Sequence, residues 1–288
     1  MRIAVASGKG GAGKTSLVSS LAPVWERPLL LVDADVEAPN LHLFLHPEIS
    51  REEAVTLPVP ELNAEACTLC GRCREICSYK AIAKLGRRLK IFGDMCHGCG
   101  GCFAVCPANA LRQGFRELGT LSEGSASGRS FLMGRTRIGE AMTPPLLRAL
   151  LRRASDLARG GDTLIDCPPG VSCPAMTVVQ RADLVLLAAE PTPFGFHDFT
   201  LAVRAFSRAK APLAVVMNRA KMPGNEAGDA QLRDFCRSRG LPLLAEVPFS
   251  RTAAEYGAQG GRLCDISEDW HGLFAALAQR LRKEGVRS

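Results

Sequence analysis

SGKGGAGKTS, residues 7–16, decides how the rest of this 288-residue chain is read. Residues 8–15 fit G-x-x-x-x-G-K-[ST], the spacing of a loop that wraps phosphate. Glycines let successive backbone N–H groups turn onto phosphate oxygens, and a helix starting where the loop ends adds its dipole. Lys14 is expected to reach the β- and γ-phosphates of ATP, and the Thr15 hydroxyl to ligate Mg²⁺. The context is the one this chemistry needs. RIAVA, Arg2–Ala6, reads as a buried parallel strand before the loop, and residues 15–21 as helix after it.

Outward from the loop, LLLV at 29–32 is a second buried strand, ending in Asp33 and Asp35. Strand, loop, helix, strand is the opening of a doubly wound α/β sheet. Alternation returns later, with strands ending at Asp166, Glu190, Asn218 and Pro248 and helix-like stretches at 144–158, 198–208 and 230–239. Between them the pattern changes, and glycines at 119–128 read as a break. The expected organisation is one mostly parallel α/β domain, residues 1–45 and 123–288, interrupted by a compact insertion at 46–122.

The insertion carries eight of the twelve cysteines. Cys67, Cys70, Cys73 and Cys77 repeat the spacing C-x₂-C-x₂-C-x₃-C, and so do Cys96, Cys99, Cys102 and Cys106. This is the bacterial ferredoxin arrangement, in which the fourth cysteine of each run serves the other cluster. It predicts two 4Fe–4S clusters, one on Cys67, Cys70, Cys73 and Cys106, the other on Cys96, Cys99, Cys102 and Cys77. Zinc is the alternative, although structural zinc sites usually pair two C-x₂₋₄-C units across a longer gap. Cys77 is followed by Ser78 where Cys106 is followed by Pro107, a difference that bears on turn stiffness and not on ligand number.

Composition sets the outer limits. Aromatics are 6 % of residues, which argues against a base-stacking surface for single-stranded nucleic acid. The formal net charge is +7, but thiolates around iron clusters would cancel much of it, so neither nucleic acid nor an anionic membrane is the expected partner. No apolar run approaches the roughly 20 residues of a membrane span, and the first residues lack signal-peptide architecture. The expected location is cytoplasmic, where twelve cysteines are not structural disulfides.

KGGAGKT, with Lys9 ahead of Lys14, resembles the deviant Walker A loop of the MinD, ParA and Mrp ATPases. The resemblance extends to members carrying an inserted two-cluster ferredoxin domain. It implies that Gly8, Lys9, Gly10, Gly11, Ala12, Gly13, Lys14, Thr15 and Ser16 hold the nucleotide. Lys9 would reach the nucleotide of a second subunit, identical or related, when ATP binding draws the two together. LLLVDADVEAPN is similar to the family's second acidic motif, with Asp33 near the metal and Asp35 orienting the attacking water. TLID implies Asp166 as the Walker B aspartate. VVMNR implies Asn218 on the adenine edge, and EVPFSR implies Pro248 in the loop over the base.

Three functions compete at this stage. One is an ATPase, slow and partner-stimulated, that couples nucleotide to electron transfer toward a redox partner. Another is a scaffold handing clusters to a recipient protein. The third is a positioning ATPase whose clusters sense redox state. Cys173 lies seven residues past Asp166, where it resembles the cluster-ligating cysteine of the related nitrogenase iron protein; that resemblance implies a ligand for a subunit-bridging cluster, and an inert thiol is the alternative. Asp198 is the expected cap of a helix entered through PTPFGFHDF. Lys84, Arg87, Arg88 and Lys90 are a solvated hairpin face or a docking patch for an acidic carrier. Trp270, Phe274, Leu277 and Leu281 are expected to pack a final helix on the sheet.

Overall fold

The computed structural model describes residues 1–286. In chain order, β1 (Arg2–Ala6), α1 (Lys14–Val24) and β2 (Leu29–Asp33) come first, then α2 (His42–Leu45) and a long β3 (Glu48–Leu62). The cysteine-bearing segment holds α3 (Arg72–Ile76), the hairpin β4 (Ile82–Leu85) and β5 (Arg88–Ile91), and α4 (Gly101–Ala104). It leads into β6 (Leu111–Ala126) and β7 (Arg129–Thr136). Next are α5 (Thr143–Leu157), β8 (Asp162–Asp166), α6 (Cys173–Val179), β9 (Leu184–Ala189), α7 (Pro193–Phe206) and β10 (Leu213–Ala220). The chain closes with α8 (Glu226–Ser238), β11 (Leu243–Pro248), α9 (Arg251–Ala258) and α10 (Glu268–Val286).

Nine strands form one sheet in the order β11-β10-β9-β1-β8-β2-β7-β6-β3. The seven from β11 to β7 run parallel, while β6 and β3 are added antiparallel at one edge. Parallel strands covered by helices on both faces need apolar residues on both, and the short runs read as buried strands have them. Ala4, Ala6, Leu30 and Val32 face one core layer with α5, α6 and α7, whereas Ile3, Val5, Leu29 and Leu31 face the other with α1 and α10. Phe274, Leu277 and Leu281 lie in that second layer, with Trp270 at its margin. Among the described residues no helix is long and apolar enough to cross a membrane.

The insertion is built differently from expectation. Its boundary at 122 falls inside β6, and the glycines at 119 and 124 are strand residues. Gly119 is needed because a Cβ there would sit 2.1 Å from the Arg135 carbonyl of the neighbouring strand. β6 pairs with β7 only over residues 119–126, but with β3 over its whole length. Residues 111–118 and their partners in β3 therefore run on as a two-stranded arm, closed where the Asn63 amide bonds the Ala110 carbonyl at 2.8 Å. The cysteine module, residues 64–109, hangs from the tip. Because Gly119 pairs with Thr136, the C-terminal residue of β7, the arm leaves the sheet at the edge where the parallel strands end and the phosphate loop begins.

Candidate functional site

Register assembles the acidic side of this edge. Asp166 stands opposite Val5 on one side and Asp33 on the other, so both carboxylates end adjacent strands beside the loop. Lys14 is buried and its Nζ donates to Ser7 Oγ at 3.1 Å. Gly13 has φ of 93°, and a Cβ on it would lie 2.1 Å from Asn218 Nδ2. That amide instead donates to the Ala12 carbonyl at 2.9 Å, so in this structure Asn218 braces the phosphate loop.

The Thr15 hydroxyl donates to Asp166 Oδ2 at 2.6 Å, while Asp166 Oδ1 is buried without a hydrogen-bond partner. Burial, followed by the Asp166 charge, pushes the Asp33 carboxyl well above the ordinary carboxylate range. Burial does the same to Asp166, against the pull of Thr15 and Lys14. Two buried carboxyls, one with an orphaned oxygen, beside a hydroxyl are a donor set that a Mg²⁺ ion would satisfy. The two acids are not equivalent. Asp33 accepts the backbone N–H groups of Asp35, Asn40 and Leu41, at 3.1, 3.0 and 2.9 Å, and thereby shapes the 34–41 loop. Asp35 is half-buried, and burial raises its carboxyl too.

Lys9 lies against its own chain, with Nζ 3.1 Å from Glu190 Oε2. Arg219 meets the other oxygen of Glu190 at 3.0 Å and donates to the Gly11 carbonyl at 3.2 Å. A cleft of about 750 Å³ follows the loop, lined by Gly13, Ser16, Asn218, Pro248, Phe249 and Trp270. Cys173 is exposed at the start of α6, and Cys167 is fully buried under the strand end. Asp198 does not cap α7. Thr192 does, its side chain accepting the Gly195 N–H at 3.1 Å, because Pro193 can open a helix whose first turn lacks that donor.

The two cysteine runs fold alike. Leu69 and Gly98, Gly71 and Gly100, and Lys80 and Asn109 occupy equivalent places and all have positive φ. Cys77 Sγ accepts the Ala81 N–H and Cys106 Sγ the Ala110 N–H, both at 3.3 Å. The runs enclose two cavities of about 420 and 350 Å³, mouths included. Cys77, Cys96, Cys99 and Cys102 line the larger, and Cys67, Cys70, Cys73 and Cys106 line the smaller. Each takes three cysteines from one run and the last from the other. Cys73 and Cys102 are buried, and burial raises their thiols, reinforced by thiols of the same set. Among the described residues, no group of three or more His, Cys, Asp or Glu side chains is placed to hold a single metal ion.

The sequence profile of the CobQ/CobB/MinD/ParA nucleotide binding domain matches residues 3–263. The chain belongs to this family. Two uncharacterized proteins of Methanocaldococcus jannaschii are similar to it. One is 31 % identical over 225 residues, covering 77 % of this chain and 79 % of the relative, and the other 28 % identical with 76 % and 80 % covered. The fold is that of the cell division ATPase MinD of Pyrococcus furiosus, with a TM-score of 0.57, 19 % identity and 98 % of each chain covered. MinD of Pyrococcus horikoshii, complexed with Mg-ADP, gives a TM-score of 0.55 at 19 % identity, with 100 % and 98 % covered.

Within this family frame, sequence reasoning missed Glu190, Arg219 and Trp270 at the nucleotide edge. Glu190 carried a signal, an acid ending a buried strand immediately before proline. Arg219 carried none, since its role depends on φ of 60° that turns its side chain back onto the loop. Trp270 was assigned to the packing face of α10, and it both packs there and lines the cleft.

Proposed function

We propose that this family member is a dimerising ATPase that couples nucleotide turnover to electron transfer through two 4Fe–4S clusters. The observation that carries the reading is the pairing of the cysteines. The cavities divide eight thiols four and four, each set drawing its last member from the other run, as two-cluster ferredoxins do. When bound, such clusters supply one-electron carriage near Mg-ATP. The arm that bears them leaves the sheet at the phosphate-loop edge, which favours coupling over two unrelated activities.

At the nucleotide, Lys14 and the loop N–H groups would hold the phosphates, and Thr15 with Asp166 would hold Mg²⁺, which would screen phosphate charge. Asp35 orients the water that attacks the γ-phosphorus and releases ADP and phosphate. Lys9 serves a second subunit, identical or related, and must leave Glu190 to do so. Asn218 and Pro248 border the space for the base. The larger cavity lies against residues 58–60 of the arm, nearer the sheet, while the smaller reaches Leu62 and Leu111 at the tip. The larger, inner cavity would therefore hold the cluster nearer the ATPase, and the smaller, outer cavity the one nearer a redox partner.

Cluster delivery is the second reading, favoured by the exposure of Cys70 and Cys99 at the cavity mouths. Incubating the loaded protein with an iron-free acceptor, with and without Mg-ATP, separates the two. Retention of both clusters alongside electron exchange is expected. Stoichiometric loss of iron to the acceptor would establish the carrier instead. Positioning, with the clusters sensing redox state, is a third reading, favoured by the MinD/ParA family model and by the fold of the cell-division ATPases.

A further inference from the structure

We propose that the buried pair Arg116 and Glu140 is the mechanical junction between the nucleotide loop and the inner cysteine cavity. The inference rests on the coupled-ATPase reading and names the residues that carry the coupling. Arg116 lies on the arm, and its Nη2 donates to the Cys96 carbonyl at 3.3 Å. Its Nη1 pairs with Glu140, and the two side chains are 9 % and 2 % exposed. Asp94, two residues before Cys96, adds a carboxylate 3.8 Å from Arg116 and 3.4 Å from Arg137. One guanidinium thus grips the backbone of a cavity cysteine and a buried acid of the ATPase body.

From Glu140 the connection continues to the nucleotide edge. Its other oxygen accepts the Met142 N–H at 2.8 Å, fixing it just before α5. The Glu140 N–H bonds the Arg137 carbonyl at 3.0 Å, and the Arg137 N–H bonds Leu118 on the arm at 2.9 Å. Thr136 donates to the Val36 carbonyl twice, from its N–H at 2.8 Å and its hydroxyl at 3.1 Å. Val36 belongs to the 34–41 loop that Asp33 organises. When phosphate, metal and water rearrange that loop, the Val36 carbonyl moves and the strand end moves with it. Breaking one side of a buried ion pair is costly, so Arg116 follows Glu140 and carries Cys96 along. Arg116 Nε is buried with no partner among the described residues, a donor left for a second arrangement.

The coupling is one-sided. Among the described residues, the side-chain hydrogen bond to a backbone carbonyl lining the outer cavity is Lys84 to Leu69 at 3.3 Å, exposed and within the module. Nucleotide should therefore alter the inner cavity and leave the outer one unchanged.

Hydrogen–deuterium exchange on the full chain tests this without relying on activity. With saturating Mg-ATP, amides at 93–99 should change their exchange rate by about threefold or more, against no change at 66–72. Arg116→Met should abolish the nucleotide effect at 93–99 while ATP affinity stays within about twofold of wild type. Glu140→Gln tests the same junction from the body side, should the arginine variant fold poorly. A full nucleotide effect in either folded variant, or equal effects at both cavities, would overturn the junction. Absence of ATP binding by the unmodified chain would instead remove the parent reading and the junction with it.

Discussion

Lys14→Ala is expected to weaken Mg-ATP binding by about 100-fold or more, roughly 3 kcal/mol, measured by equilibrium titration. Lys14 is buried, its Nζ donates to Ser7 Oγ, and its charge acts on the nearby Asp166 carboxyl, which burial raises. A triphosphate brings several negative charges to that spot, and among the described residues no other buried cation faces it. Lys9 and Arg219 are committed to Glu190. The variant should retain its fold, because the layers on both faces of the sheet do not include this side chain. ATP affinity within a few-fold of the parent would mean that phosphate binds elsewhere.

The second large effect concerns Cys106→Ser. In sequence Cys106 belongs with Cys96, Cys99 and Cys102, but in space it joins Cys67, Cys70 and Cys73. Losing one of four thiolates should empty the outer site and halve the iron, from about eight to about four per chain. Pairing distinguishes spatial from sequential grouping. Cys73→Ser added to Cys106→Ser should cost no further iron, since both belong to one site. Cys102→Ser added instead should remove the rest. The opposite pattern would assign each run its own cluster.

Much of this was legible in the chain, for identifiable reasons. A phosphate loop is local, so spacing alone fixes the positions of Gly13, Lys14 and Thr15 relative to the strand before and the helix after. Strands buried on both faces announce themselves as continuous apolar runs, as in LLLV. The cysteine spacing was equally local, and it extended to the exchange of Cys77 and Cys106 between cavities. The arm was not legible. β3 and β6 are half-exposed strands rich in charge and interrupted by glycine and proline, so the cues that mark buried strands work against them. Arg116, Glu140 and Glu190 were hidden for another reason. An ion pair between distant segments leaves no pattern in sequence, and an arginine on a strand reads as solvated until burial is known. The family resemblance implied Asp33 near the metal, but its bonds to Asp35, Asn40 and Leu41 depend on a loop path that only three dimensions display.

The central claim is that iron clusters and nucleotide occupy one chain and respond to each other. Anaerobically purified protein, analysed for iron and sulfide and examined by EPR after reduction with and without Mg-ATP, tests it most directly. About eight irons and eight sulfides per chain are expected, with a spectrum or midpoint potential that changes when Mg-ATP binds. Zinc in place of iron, or spectra and potentials identical in the two states while nucleotide is bound, would contradict it.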